Sequence, residues 1–151
     1  MVDLDAPTRQ RVMQARVARL ATVRPDGHPH VVPITFALRG ETIVTAVDHK
    51  PKTTAHLQRL RNLEAHPFAS VIVDRYDDDW SLLWWVRADG KARVVRQGPD
   101  HEQAVRSLAV KYPPYRSHPP DGPVIVVEVD RWSSWSASPA PGNRSEKDPS
   151  W

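Results

Sequence analysis

The stretch that decides the fold runs from Thr42 to Val73. It opens with Thr42-Ile43-Val44-Thr45-Ala46-Val47 and closes with Phe68-Ala69-Ser70-Val71-Ile72-Val73. Both runs are apolar and β-branched and read as strands. Between them lies Lys50-Pro51-Lys52-Thr53-Thr54-Ala55-His56-Leu57-Gln58-Arg59-Leu60-Arg61-Asn62-Leu63. Leu57, Leu60 and Leu63 recur at helical spacing, which predicts a helix with one side on a core. Lys52, His56 and Arg59 gather near one edge of that side, with Lys50 and Arg61 close by. A basic helix start just after a strand suits a phosphate or polyanionic ligand. The free N–H groups and partial positive charge of the first turn favour the same ligand. A solvated basic face is the competing reading, and the rest of the chain decides between them.

Toward the N-terminus, Asp5-Ala6-Pro7-Thr8 offers a cap for a helix running to about Ala18, with Met13, Val17 and Leu20 as its stripe. A strand follows at Arg19 to Val23. Arg24-Pro25-Asp26-Gly27 is a strong turn signal. The next strand spans His30 to Leu38, with Val32, Ile34, Phe36 and Leu38 on one side. Pro33 cannot donate, so that strand is expected at an edge or a bulge. Arg39-Gly40-Glu41 turns the chain into Thr42 to Val47. Three strands joined by tight turns predict an antiparallel meander.

Toward the C-terminus, Ser81 to Arg96 reads as extended, and Asp89-Gly90 inside it fits either a two-residue hairpin or a glycine bulge. Pro99 starts a second helix, with Asp100 and Gln103 at capping-box spacing and Val105, Leu108, Ala109 and Tyr112 as its stripe. Pro113 to Gly122 reads as a loop. A last strand starts at Pro123 and continues through Trp132 to Trp135. The pattern predicts a mainly β domain over residues 1–136, a barrel of about six antiparallel strands with short inserted helices. Residues 137–151 mix Ser, Pro, Gly and charge without periodicity and are expected to be a disordered tail.

The chain has 151 residues, 40% of them hydrophobic and 26% charged, enough for one ordinary domain with a real core. Its net charge of +3 is too modest for a dedicated nucleic-acid binder. No run approaches the ~18 apolar residues of a membrane span, and no apolar signal core opens the chain. With no cysteine there is no disulfide or thiolate site, which fits a reducing cytoplasm. Composition therefore argues against nucleic-acid and membrane partners. Trp80, Trp84, Trp85, Trp132 and Trp135 give more aromatic surface than such a core needs, and part of it is expected to seal a homodimer.

Familiar catalytic patterns are missing: no Gly-rich phosphate loop, no nucleophile elbow, no His-Glu-x-x-His pair. Asp77-Asp78-Asp79 points its side chains in different directions and suits a solvated turn. His28 and His30 share a strand face but lack a third ligand, so no metal site is expected. A basic anchor with aromatic walls and no nucleophile suits a protein whose chemistry is carried by a bound cofactor.

Several blocks carry a family resemblance: Arg19 to Val23, Pro29 to Ala37, Thr45-Ala46-Val47-Asp48-His49-Lys50-Pro51-Lys52, Leu60 to Leu63, and Tyr76 to Ala92 with its Asp79-Trp80-Ser81-Leu82-Leu83-Trp84-Trp85-Val86-Arg87 core. In these the chain resembles the pyridoxamine-phosphate-oxidase-like split β-barrel family, which shares its fold with FMN-binding proteins. Within it, the chain is similar to the actinobacterial branch that uses the deazaflavin coenzyme F420. The resemblance covers residues from about 10 to 135. It implies a homodimer with cofactor sites at the subunit interface, and one long strand with a bulge at Asp89-Gly90. It further implies that Lys50, Lys52 and Arg59 hold the cofactor phosphate. Val32-Pro33-Ile34 and Thr45-Ala46-Val47 would flank the ring, Trp80 or Trp84 would reach in from the second subunit, and Arg61 or Lys91 would meet the anionic tail of F420. No catalytic side chain is implied.

The expected activity is thus F420-dependent hydride transfer to or from a small electron-poor organic substrate. The alternatives are an FMN-dependent oxidoreductase of the same fold, a non-catalytic F420 carrier, or a structural dimer with a vestigial pocket.

Overall fold

The computed structural model describes residues 3–47 and 54–138. Helix α1 spans Ala6–Gln14, capped by the Asp5 carboxylate, which accepts from the Thr8 N–H at 2.8 Å. It stops short of the expected end near Ala18, because strand β1 (Ala18–Val23) must begin there to pair with neighbours on both sides. Val12 is its buried residue, while Met13 and Val17 are exposed. Leu20 is buried as a strand residue, so tertiary pairing overrides the helical stripe.

The remaining strands are β2 (Pro29–Ile34), β3 (Ala37–Arg39), β4 (Thr42–Ala46), β5 (Phe68–Arg75), β6 (Trp84–Val95) and β7 (Val124–Ser136). They form one antiparallel sheet of seven strands, ordered β2-β1-β5-β6-β7-β4-β3, curled into the half-barrel of the split β-barrel fold. Helices α2 (Thr54–Ala65), α3 (Pro99–Lys111) and α4 (Pro113–Ser117) are inserted between strands.

Residues 30–38 are not one strand. The chain breaks at Thr35-Phe36 because Phe36 is fully buried and its backbone is held by a side chain. The Tyr112 hydroxyl accepts from the Phe36 N–H and lies within donating distance of its carbonyl, both at 3.1 Å. The β1–β2 and β3–β4 hairpins therefore sit at opposite ends of the sheet, and the expected meander does not form. Both turns behave as read: Gly27 and Gly40 take positive φ, where a side chain would be strained. Pro33 lies on β2, an edge strand of the chain.

β6 is continuous, which settles the Asp89-Gly90 alternative against a hairpin. Asp89 faces Arg131 and Gly90 faces Val129, so Asp130 of β7 is the extra residue of the bulge. Gly90 has a steric reason: a Cβ there would overlap the Glu128 carbonyl.

Two cores result. The inner one joins Leu20, Phe36, Ile43, Val71, Ile125 and Val127 to Val12 of α1 and Leu60 and Leu63 of α2. The outer one packs Ala104, Leu108 and Tyr112 against Val44, Ala46, Val124 and Val126. β4 is consequently buried on both faces. The capping box expected for α3 is absent; Gly98 caps without a side-chain bond. Asp100 instead pairs with Arg93 at 3.0 Å, and Gln103 accepts from Arg39 at 2.7 Å. Trp132 belongs to the inner core, its indole N–H donating to Glu41 at 2.6 Å. Asp77 and Asp79 accept backbone N–H groups at 2.8 and 3.1 Å and turn the chain into the short 3₁₀ segment Trp80–Leu82. Ala137 and Ser138 are tied to Leu83 and Ser81 by hydrogen bonds. The rest of the expected tail, 139–151, lies outside the described residues. No helix among the described residues is long and apolar enough to cross a membrane.

Candidate functional site

The ends of β2 and β4 meet helix α2 at a cleft of about 280 Å³. Pro33, Ile34 and Thr35 supply one wall, Thr45 and Ala46 another, and Arg59 the third; Val17 and Tyr115 close the rim. The arrangement follows from the sheet order. Because β2 and β3 occupy opposite ends, the chain bridges the open seam at Thr35-Phe36, and the cleft lies beside that bridge.

Arg59 is held there by how α2 is anchored. Leu60 and Leu63 enter the inner core. Asn62, wholly buried, donates to the Thr22 hydroxyl at 3.0 Å and accepts from Gln58 at 2.7 Å. With that face fixed on the sheet, Arg59 comes to the cleft with only 7% of its surface exposed. A guanidinium stays charged at any physiological pH. At such burial its attraction for an anion entering the cleft is much less screened than at a surface. The field is also felt at His30, whose imidazole is held below its ordinary pKa by burial first, then by Arg24 and Arg59. His30 is therefore neutral at neutral pH.

Thr45 is 1% exposed, and its hydroxyl has no hydrogen-bond partner among the described residues. A buried hydroxyl left unpaired is costly. Since Thr45 lines the cleft, a polar group bound there would remove that cost.

Of the residues expected at the site, the structure brings together Pro33, Ile34, Thr45, Ala46 and Arg59. Val32 and Val47 sit beside them in sequence but pack on the inner core. Lys50 and Lys52 lie outside the described residues. Arg61 is exposed and, two positions from Arg59, projects from a different side of the helix. Trp80 is 69% exposed, and neither it nor Trp84 lines this cleft. Trp84 belongs to a separate aromatic groove of about 350 Å³, with Trp85, Trp135 and Tyr76. Thr35, Tyr115 and the anchoring Asn62 were not expected. Only Asn62 left a signal, as a polar residue between two core leucines. Tyr115 is hidden in a Pro-rich run that reads as loop.

Residues 4–136 match the protein family described as pyridoxamine 5'-phosphate oxidase. Among solved structures, the chain is similar to a conserved hypothetical protein of Mycobacterium tuberculosis, at 22% identity over 91% of this chain and 87% of that one, with a TM-score of 0.72. It is similar to an FAD-binding protein of Mesorhizobium loti at 22% identity, covering 87% and 94%, with a TM-score of 0.65. It is also similar to the heme storage protein of Vibrio cholerae at 16% identity, covering 89% and 95%, with a TM-score of 0.66. At these identities the likeness is one of fold. No curated protein matches the sequence.

Proposed function

This chain belongs to the pyridoxamine 5'-phosphate oxidase family, and on that footing we propose that it is a cytoplasmic oxidoreductase using coenzyme F420 in the Arg59 cleft. It transfers a hydride between that deazaflavin and a small electron-poor organic substrate. The observation that carries the reading is the buried Arg59 guanidinium between two strand ends, Pro33-Ile34 and Thr45-Ala46, which the family resemblance implies flank the ring. The donor set fits such a group. Arg59 can pair with a phosphate through two parallel hydrogen bonds; the resemblance adds Lys50 and Lys52, which lie outside the described residues. The apolar walls Ile34 and Ala46 suit a planar ring, and the unpaired Thr45 hydroxyl suits a ring acceptor.

When bound, the deazaflavin supplies the two-electron chemistry as hydride transfer. The chain's residues bind the anionic arm, orient the ring and keep water from it. A second copy of the chain completes the site in this reading. It covers the aromatic groove, where Trp84, Trp85 and Trp135 stand beside Arg75 and Arg87. Trp80 and Trp84 of the added copy are the residues offered to the cofactor, and Arg61 and Lys91 those offered to its tail.

A second reading, FMN or FAD as the cofactor, is favoured by the similarity to structures described as FAD-binding proteins. Fluorescence titration of the purified protein with F420 and FMN in parallel separates the two. Preference for F420, followed by oxidation of reduced F420 with an acceptor, supports the proposal. Preference for FMN moves it to a flavin enzyme. Tight F420 binding without turnover on any acceptor leaves a carrier, and binding of neither rejects a flavin-type cofactor.

A further inference from the structure

Among the described residues, the hydroxyls that line the Arg59 cleft carry more protons than their neighbours accept. Thr35 Oγ1 and Tyr115 Oη lie 2.9 Å apart, so one hydroxyl donates to the other. Two hydroxyls carry two protons, and the second has no acceptor among the described residues. Thr45 adds a third hydroxyl, buried and unpartnered among the described residues. All three residues line the same cleft as Arg59.

The rim that carries Tyr115 is also held in place. Arg116 clamps α4 onto the end of α3, its Nε donating to the Ala109 carbonyl at 2.9 Å and an Nη to the Val110 carbonyl at 2.7 Å. The Tyr115 ring packs edge-on against Tyr112, with centroids 5.8 Å apart and an interplanar angle of 74°. Tyr112 in turn reaches the Arg16 and Phe36 carbonyls at 3.0 and 3.1 Å. Tyr115 is therefore a fixed hydroxyl on a rigid mount, facing a cleft with an anion-binding end.

We propose that Thr35, Thr45 and Tyr115 form a donor set that reads the carbonyl edge of a planar ring while Arg59 takes the ligand's anionic arm. The proposal rests on the reading of this cleft as the cofactor site, and it deepens that reading by stating how the ligand is selected. The preferred ligand is a flat ring whose edge presents hydrogen-bond acceptors, such as a pyrimidinedione, on an arm ending in phosphate. A ring with only C–H groups along its edge would leave the donors unpaired and be disfavoured.

Fluorescence titrations with two ligand pairs test it: FMN against riboflavin, and F420 against its phosphate-free deazariboflavin. Tyr115→Phe keeps the ring packing and removes only the hydroxyl; Thr45→Val does the same on β4. Each should weaken all ring ligands alike, by about tenfold, the size expected for one lost hydrogen bond to a buried acceptor. Thr45→Ser should recover most of the loss. Arg59→Ala should weaken only the phosphate-bearing member of each pair. If Arg59→Ala behaves so but Tyr115→Phe and Thr45→Val both bind every ligand within twofold of wild type, the donor set is wrong and the cofactor site stands. If the wild-type protein binds no ring ligand, both ideas fall. Melting curves for each variant establish that it is folded before titration.

Discussion

The two sides of this sheet are built to opposite rules. Along β6 and β7 the ladder runs unbroken from Trp84 opposite Ser136 to Val95 opposite Val124, interrupted only by the bulge at Asp130. There the backbones approach so closely that position 90 admits no side chain. At the seam the strands stop early and the polar groups that remain are not all paired. The cleft there holds a buried guanidinium and, at Thr45, a hydroxyl without a partner among the described residues. The difference teaches where to look for a ligand. The aromatic groove is comparable in size and is rimmed by surface ion pairs: Arg87 with Asp89 at 3.1 Å, Arg75 with Asp77 at 3.5 Å, Asp74 with Arg19 at 3.4 Å. Such a surface suits another protein surface. The seam, where the Thr45 hydroxyl is unpaired among the described residues, suits a small polar ligand.

The contrast can be broken from the closed side first. Gly90→Ala would push a methyl group into the Glu128 carbonyl. The backbones must separate, and a loss of about 3 kcal/mol is expected. A thermal melt should show a drop of about 10 °C; an unchanged melting temperature would mean the ladder is far more pliable than drawn.

Next in size is the seam. Arg59→Ala is expected to weaken F420 or FMN binding by about 10- to 100-fold, the range of a charge-assisted hydrogen bond. If stability falls as steeply as affinity, Arg59 is a structural residue and the contrast between the two sides loses its main support.

A smaller effect sharpens the picture at the bridge. Lys111 Nζ sits 3.8 Å from the Phe36 ring centroid, close to Tyr112 and Arg16, with no hydrogen-bond partner among the described residues. Burial, then Arg16, lowers its pKa to about 8, whereas in an unfolded chain it stays near ~10.4. Below pH 8 both states are protonated and the cost of burying the charge is constant. Between about 8 and 10 the folded state has released its proton while the unfolded state keeps it, so stability rises with pH there. The side chain is partly exposed, so nearby solvent screens the effect, and the aromatic rings return about 0.5–2 kcal/mol. The net change is thus about 1 kcal/mol. Chemical denaturation at pH 7.5 and 9.5 should show this rise in the wild type and its absence in Lys111→Met. A rise of equal size in both would assign it elsewhere.

The smallest effect is expected at the C-terminus. Ending the chain after Ser138 keeps the hydrogen bonds to Leu83 and Ser81, so the melting temperature should stay within about 1 °C. A larger fall would show that residues 139–151 pack on the domain.

Much of this was legible in the sequence where local chemistry and tertiary demand agree. The turns at Pro25-Asp26-Gly27 and Gly40, strand β4 to within one residue of its end, and the burial of Leu60 and Leu63 on α2 read correctly. The split of residues 30–38 did not, because alternation continues smoothly through Phe36; the break is imposed by Tyr112, far away in sequence. The α3 cap failed for the same kind of reason: Asp100 and Gln103 have better partners in Arg93 and Arg39 than in their own backbone. Arg59 stood out by charge and spacing as part of a basic helix edge, and its phosphate role was implied by the resemblance. Tyr115 and Thr35 did not stand out, since a hydroxyl acquires its role only from what lies opposite it.

The sheet order also governs how the molecule must come into being. Every residue lining the cleft except Tyr115 is contained in the first 59 positions, and β4 is among them. Yet apart from its short hairpin partner β3, β4 pairs only with β7, the last strand. A chain emerging from the ribosome therefore carries the site in pieces until residue 124 and beyond are available, with open strand edges exposed meanwhile. Such dependence on distant pairings makes folding slow and all-or-none. The cleft is therefore the last part of the protein to exist, although most of it is the first to be made.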